Sequence, residues 1–254
     1  MKIEPTDINF RQETINGVLY LPETIKSAPL VVHLNGMPGL EPEKEGERYA
    51  EDLVSNGIAY YAFDYTGVRN STGVFGYYYS QENISKILSY LVHHSKIEPT
   101  KIAILGESFG GAMGISHTAR DKRIKCLAVR SPVYDTDKVA KLKIFDGLSQ
   151  LWKRSKQMRF PEVNLKKWFL QQTSQYNPAK LIQSIHCPIR VITGTKDEIL
   201  SVDQIKKLYS QLPADTEKEL KIIENADHNF SDLKHFEIMK KYVVQFFKES
   251  LIAA

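Results

Sequence analysis

Short runs of aliphatic and β-branched residues alternate along the chain with longer stretches whose apolar positions recur every three or four residues. That is the pattern of a largely parallel sheet covered by helices on both faces. Strand-like runs fall at residues 30–34, 58–63, 101–105, 124–129, 189–193 and 219–223. Helical periodicity predicts helices over 45–56, 81–94, 109–120, 201–212 and 232–249. The fourth of these opens with Ser201-Val202-Asp203-Gln204, a capping box in which serine and glutamine satisfy each other's backbone N–H groups. Ahead of the first parallel strand, extended segments at 8–11 and 15–21 flank Asn16-Gly17, a pair that favours the φ > 0 turn of a hairpin. The chain is therefore expected to begin with an antiparallel hairpin.

One stretch breaks the alternation. Between Arg130 and Ile189 about sixty residues carry helix-rich, aromatic and basic sequence without a β run, whereas a plain crossover between parallel strands needs far fewer. An inserted lid or cap is expected over 134–176, inside a single domain spanning 1–254. Asn177-Pro178 should start the next helix, since proline at a first helical position forfeits no hydrogen bond.

The chemistry enters at Gly106-Glu107-Ser108-Phe109-Gly110-Gly111, which follows the apolar run 102–105 and opens a predicted helix. A serine on such a strand-to-helix turn presents its hydroxyl as a nucleophile, and the flanking glycines avoid clashes in a strained backbone. The same serine could simply cap a helix, so its partners decide. A serine hydroxyl needs a base, and the base needs an acid to hold its tautomer. Asp197 lies just past the run 189–193 and His228 just past 219–223, so both loops leave the sheet edge from which Ser108 projects. Glu198 competes with Asp197 from the next position. His235 falls inside the last helix, and Asp227 is too close in sequence to His228 to orient it. His33, His93, His94, His117 and His186 are assigned structural or surface duty.

The order Ser108, Asp197, His228 resembles that of α/β-hydrolases, and the layout is similar to cinnamoyl and feruloyl esterase-like members and to serine peptidases of the same fold. The resemblance implies the α/β-hydrolase fold over nearly the whole chain, with the helical lid inserted before the penultimate strand region. It also implies an oxyanion hole: the Phe109 N–H after the nucleophile, and the Met37 N–H in His33-Leu34-Asn35-Gly36-Met37-Pro38-Gly39, which is similar to an H-G-x-P-G loop with Asn35 in place of the usual histidine. The segment Phe63-Asp64-Tyr65-Thr66-Gly67-Val68-Arg69-Asn70-Ser71 resembles a D-x-R-G-x-G-x-S loop, with Thr66 and Arg69 as departures.

Composition narrows the partners. A net charge of +4 in 254 residues is too small to imply nucleic acid. No run is long enough to span a bilayer and no apolar leader begins the chain, which makes a cytoplasmic protein the expectation. Cys126 and Cys187, the only cysteines, lack metal-ligand spacing and read as buried thiols without a disulfide. No phosphate loop, dinucleotide fingerprint or zinc motif is present, so neither cofactor nor metal is expected.

Within 134–176, Leu142, Ile144, Phe145, Leu148, Leu151, Trp152, Phe160, Trp168 and Phe169 could line an apolar pocket, with about three reaching substrate. Lys and Arg cluster between 141 and 167, where a solvated face is the ordinary reading and attraction of an anionic substrate the sharper one. Tyr77-Tyr78-Tyr79 is a candidate for the cleft wall. Together these readings predict a serine hydrolase cleaving a small carboxylic ester with an apolar acyl or aromatic group through an acyl-enzyme. A thioesterase or serine aminopeptidase on the same residues is the nearest alternative, although few acids in 134–176 could anchor a substrate amine. A non-catalytic binding protein with a hydrolase fold is the alternative of another class.

Overall fold

The computed structural model describes residues 1–252. Its strands are β1 (Lys2–Pro5), β2 (Ile8–Phe10), β3 (Glu13–Ile15), β4 (Gly17–Leu21), β5 (Ala28–Leu34), β6 (Ala59–Phe63), β7 (Ile97–Glu107), β8 (Ile124–Arg130), β9 (Ile189–Gly194) and β10 (Lys218–Ile223). The helices are α1 (Pro42–Ser55), α2 (Tyr77–Leu91), α3 (Phe109–Thr118), α4 (Thr136–Val139), α5 (Lys143–Arg154), α6 (Leu165–Thr173), α7 (Pro178–Leu181), α8 (Val202–Tyr209) and α9 (Leu233–Leu251). Eight strands form one sheet in the order β1-β4-β6-β5-β7-β8-β9-β10. From β6 to β10 every pairing is parallel, and β4 pairs antiparallel with both β1 and β6. This is the α/β-hydrolase fold.

Strand periodicity divides the core. Leu30, Val32, Ile102, Ile104, Leu127 and Val129 join a cluster on the face covered by α2, α3 and α8, whereas Val31, Ala103, Leu105, Cys126 and Ala128 pack against α1 and α9 on the other. Both faces are thus buried, which is why these strands read as nearly continuous apolar runs. Cys126 is buried and Cys187 only partly so, and both are free thiols. Among the described residues no helix is long and apolar enough to cross a membrane.

The antiparallel start is present, but Asn16-Gly17 is not its turn. The small ribbon pairs Ile8 with Ile15 and Phe10 with Glu13, so the chain reverses at Arg11-Gln12, where Arg11 takes φ 57°. Asn16 instead ends the ribbon, its amide donating to Asp7 Oδ1 at 3.0 Å and its N–H to Ser71 Oγ at 2.8 Å. Gly17 is required by packing, because the Tyr61 hydroxyl occupies the space a Cβ would fill. Between β8 and β9 lie α4, α5, α6 and α7, and the one bridge there is Val68 to Met158. Asn177 caps the single turn of α7 by accepting from the Ala179 N–H, and Ser201 and Gln204 form the capping box of α8.

Candidate active site

Ser108 sits between β7 and α3 with φ 52° and ψ −113°, a conformation that costs a non-glycine residue about 1–3 kcal/mol. The surroundings hold it there: its N–H donates to the Arg130 carbonyl at 2.8 Å, and its carbonyl accepts from Val133 at 3.0 Å and Ala112 at 3.2 Å. A Cβ on Gly106 would lie 2.5 Å from the Gly110 carbonyl oxygen, and one on Gly110 would overlap the Leu34 carbonyl. Strand, turn and helix approach too closely for a side chain at Gly106 or Gly110.

The loops after β9 and β10 are fastened to each other. Lys196 N–H donates to the Ala226 carbonyl at 2.9 Å and Thr195 N–H to Ile223 at 3.1 Å, and Gly194 leaves room for the Ala226 carbonyl. This brings the three residues expected from sequence together. His228 Nε2 lies 2.9 Å from Ser108 Oγ, and His228 Nδ1 lies 2.9 Å from each Asp197 carboxylate oxygen. Asp197 Oδ1 also accepts from the N–H groups of Ile199 at 3.0 Å and Leu200 at 2.8 Å. Burial alone would raise the Asp197 carboxyl, but the hydrogen bond and charge of His228 and the Leu200 N–H outweigh it and hold the group below its ordinary value. Glu198 points outward and is exposed, Asp227 accepts from the Ser231 N–H at 2.8 Å, and His235 lies on α9.

Met37 and Phe109 line the same cavity as Ser108 and His228, and no acceptor for either N–H lies among the described residues. Asn35 braces the Met37 loop in the place the histidine would take, donating to the carbonyls of Leu40 at 3.1 Å and Phe63 at 3.3 Å. Arg69 adds a second brace. It pairs with Asp64 and donates to the carbonyls of Pro38 and Gly39 at 3.2 Å and of Leu40 at 2.6 Å. From the 134–176 segment, Trp152 Nε1 donates to the Met37 carbonyl at 3.1 Å. Arg159 in turn holds the 67–73 loop through the carbonyls of Gly73, Arg69 and Ser71.

Ser108 opens into a cavity of about 820 Å³. One side is apolar, lined by Val133, Val139, Phe145, Leu148, Trp152 and Phe169; the other carries Arg48, Glu47, Glu237, Lys240 and Phe236. Of the aromatic and aliphatic candidates in 134–176, Phe145, Leu148, Trp152 and Phe169 line the cavity, while Ile144 and Leu151 face outward. Tyr77 is buried beneath Phe109, its ring 5.3 Å away edge-on, and does not line the cavity.

Sequence reasoning missed a buried charged cluster behind the nucleophile. Glu107 accepts from the Tyr49 hydroxyl and pairs with Arg130 at 2.5 Å, and Arg48 pairs with Glu45 at 3.1 Å and reaches Glu107 at 3.6 Å. His33 Nδ1 lies 2.5 Å from the Tyr60 hydroxyl, and burial pushes the imidazole down to about 4. His33, Glu45 and Glu107 bring ligand atoms within 4.8 Å of one another, but the two guanidinium groups already supply the positive charge that the carboxylates require. Burial would raise the Glu107 carboxyl, yet Arg130 and Arg48 hold it well below the usual range. Burial and the Glu107 charge push Glu45 up to about 7.

That shift has a sign. A raised carboxyl keeps its proton in the native state after the unfolded chain has released it, so stability falls as pH rises from the ordinary 4.5 towards about 7. Thermal melts at about pH 5 and about pH 8 should therefore show a smaller loss for Glu45→Gln than for wild type. An equal loss in both would assign the titration to another group.

Residues 78–253 match the prolyl oligopeptidase family. An uncharacterised 31.7 kDa protein in the traX-finO intergenic region of Escherichia coli is 23% identical over 270 residues, covering 91% of this chain and 94% of that protein. Among solved structures, Est1E from Butyrivibrio proteoclasticus with bound ferulic acid superposes with TM-score 0.80 at 18% identity, covering 98% of this chain and 100% of that one. The Pyrococcus furiosus esterase PF2001 superposes with TM-score 0.75 at 21% identity, covering 98% and 91%. With an α/β-hydrolase sheet and a matching segment that runs from the start of α2 through the whole of α9, the chain belongs to the prolyl oligopeptidase family of hydrolases.

Proposed function

We propose that the chain is a serine hydrolase of carboxylic esters that works through an acyl-enzyme. The observation that carries this is the unbroken relay of 2.9 Å contacts from Asp197 through His228 to Ser108 at the wall of the cavity. Ser108 Oγ attacks the ester carbonyl while His228 Nε2 takes its proton; Asp197 keeps the other ring proton on Nδ1 and stabilises the imidazolium. The N–H groups of Met37 and Phe109 receive the oxyanion, the alcohol leaves with the proton from His228, and water repeats the sequence to release the acid. The segment 134–176 serves as the lid, its apolar side chains receiving an aliphatic or aromatic acyl group.

A peptide substrate is the second reading, favoured by the family match. The ester reading is preferred because Glu45, Glu107 and Glu237, which line the cavity, are paired with Arg48, Arg130 and Lys240, leaving only the exposed Glu47 at the rim as an anchor for a substrate amine. Est1E and the P. furiosus esterase lend the fold's precedent for esters.

The test is labelling with a fluorophosphonate, peptide mapping of the label, and turnover of p-nitrophenyl acetate, butyrate and octanoate beside aminoacyl p-nitroanilides and an acyl thioester. The expected result is label on Ser108 and esters turned over at least about 100-fold faster than anilides, a transition-state difference of about 2.7 kcal/mol. Faster anilides would make the chain a peptidase, and a folded protein that takes no label would leave the binding-protein reading.

A further inference from the structure

Arg130 touches both sides of the gap that Ser108 and His228 must bridge. Its carbonyl accepts the Ser108 N–H at 2.8 Å, and its guanidinium donates through Nη1 to the His228 carbonyl at 2.6 Å. Through Nη2 it donates to Glu107 at 2.5 Å, and Glu107 is both the residue before Ser108 and the direct cross-strand partner of Arg130 between β7 and β8. The Phe230 ring, two residues past His228, lies 5.4 Å from the same guanidinium. Arg130, Glu107 and His228 are 4%, 3% and 3% exposed.

Stability alone does not account for such a group. A buried ion pair is generally matched or bettered by apolar side chains of similar volume, so a charged pair at this place calls for another role. The His228 loop also does not define its own shape, since Asn225 at φ 61° and Phe230 at φ 54° both occupy the left-handed region without being glycine. The His228 carbonyl is oriented by a side chain from β8.

We propose that Arg130, itself fixed by Glu107, is a positioning residue that sets the His228 loop at bonding distance from Ser108. The inference rests on the serine hydrolase reading above. Arg130 borders the cavity, but it is 4% exposed and its guanidinium is engaged by Glu107 and the His228 carbonyl, so the role assigned to it is exerted through the His228 backbone. Glu107 keeps Arg48 and the Tyr49 hydroxyl when Arg130 is replaced, so its charge is not left without a partner.

The test compares wild type, Arg130→Met, Arg130→Lys and the pair Arg130→Met with Glu107→Gln, with Ser108→Ala as the blank. Each is followed by thermal unfolding, kcat and KM on p-nitrophenyl butyrate, and the second-order rate of fluorophosphonate labelling. Misplacing the base by an ångström should lower kcat and the labelling rate together by about 100-fold while KM stays within about threefold. Arg130→Lys, which restores one donor and the charge, should recover at least about tenfold of that loss. Should Arg130→Met fail to fold, the pair variant and Arg130→Lys carry the same criteria. A folded variant lacking the guanidinium whose kcat stays within about threefold of wild type, or a lysine variant no better than methionine, would overturn the proposal. A labelled wild type with unaffected variants removes only the role of Arg130, whereas a wild type without label overturns the hydrolase reading as well.

Discussion

Ser108→Ala is expected to reduce ester turnover by about six orders of magnitude and to abolish fluorophosphonate labelling, leaving only the residual rate that binding and oxyanion donors give. The size follows from the roles proposed for the site: without Oγ there is no acyl-enzyme, and His228 can at most activate water from a distance set for a different nucleophile. Folding should be little affected. The backbone bonds from Ser108 to Arg130, Val133 and Ala112 do not involve the side chain, and the side-chain hydrogen bond that the substitution removes is the one to His228. The measurement pairs initial rates on p-nitrophenyl butyrate with a thermal melt. A variant that melts like wild type and keeps more than about 1% of the rate would remove Ser108 as the nucleophile.

Asp197→Asn is expected to lower kcat by about 10⁴-fold with KM nearly unchanged. An asparagine oxygen can still accept from the N–H groups of Ile199 and Leu200, which directs its NH₂ towards His228 Nδ1. The ring must then carry its proton on Nε2, where it faces Ser108 Oγ and cannot accept from it. The same substitution changes acid stability. Because the native carboxyl lies below its ordinary 3.8, its contribution to folding is present above that value and fades as pH falls through and below it; the asparagine variant lacks this dependence. Glu198→Gln, at the exposed neighbouring position, should stay within about threefold of wild type. Kinetics of the two variants side by side decide the acid: a loss of less than about tenfold in Asp197→Asn would rule out its part in orienting His228.

What could be read from the sequence was what local pattern encodes. The runs at 102–105 and 189–193 lie inside strands buried on both faces, so apolarity alone revealed them, and the loops after β7, β9 and β10 follow once those strands are placed. Asp197 and His228 were legible because each lies a few residues past a strand end on one edge of a parallel sheet. Asn16-Gly17 misled because its glycine answers to the Tyr61 hydroxyl from a strand more than forty residues away. The start of α1 at Pro42 and of α2 at Tyr77 escaped because neither first turn carries an apolar period. The charged cluster escaped for a similar reason: Glu45, Arg48, Glu107 and Arg130 look like ordinary surface charges until α1 packs over β4 and β6 and brings Arg48 and Tyr49 to Glu107. Nor does spacing announce that Asn35 and Arg69 converge on the carbonyls of one loop.

The bond from the Trp152 indole to the Met37 carbonyl joins the wall of the apolar side to the residue whose N–H, one peptide back, is proposed to steady the reaction's negative charge. On those roles, fit and speed are geared together. An acyl group that seats well against Trp152 would leave Met37 in place, and one that pushes the indole aside would shift that residue and, through its Cα, the N–H proposed to face the carbonyl under attack. Discrimination between acyl groups would then be written in kcat more than in KM, as expected where binding energy is spent in the transition state. If those roles hold, reshaping α5 to admit other acyl groups would also alter how fast they are turned over.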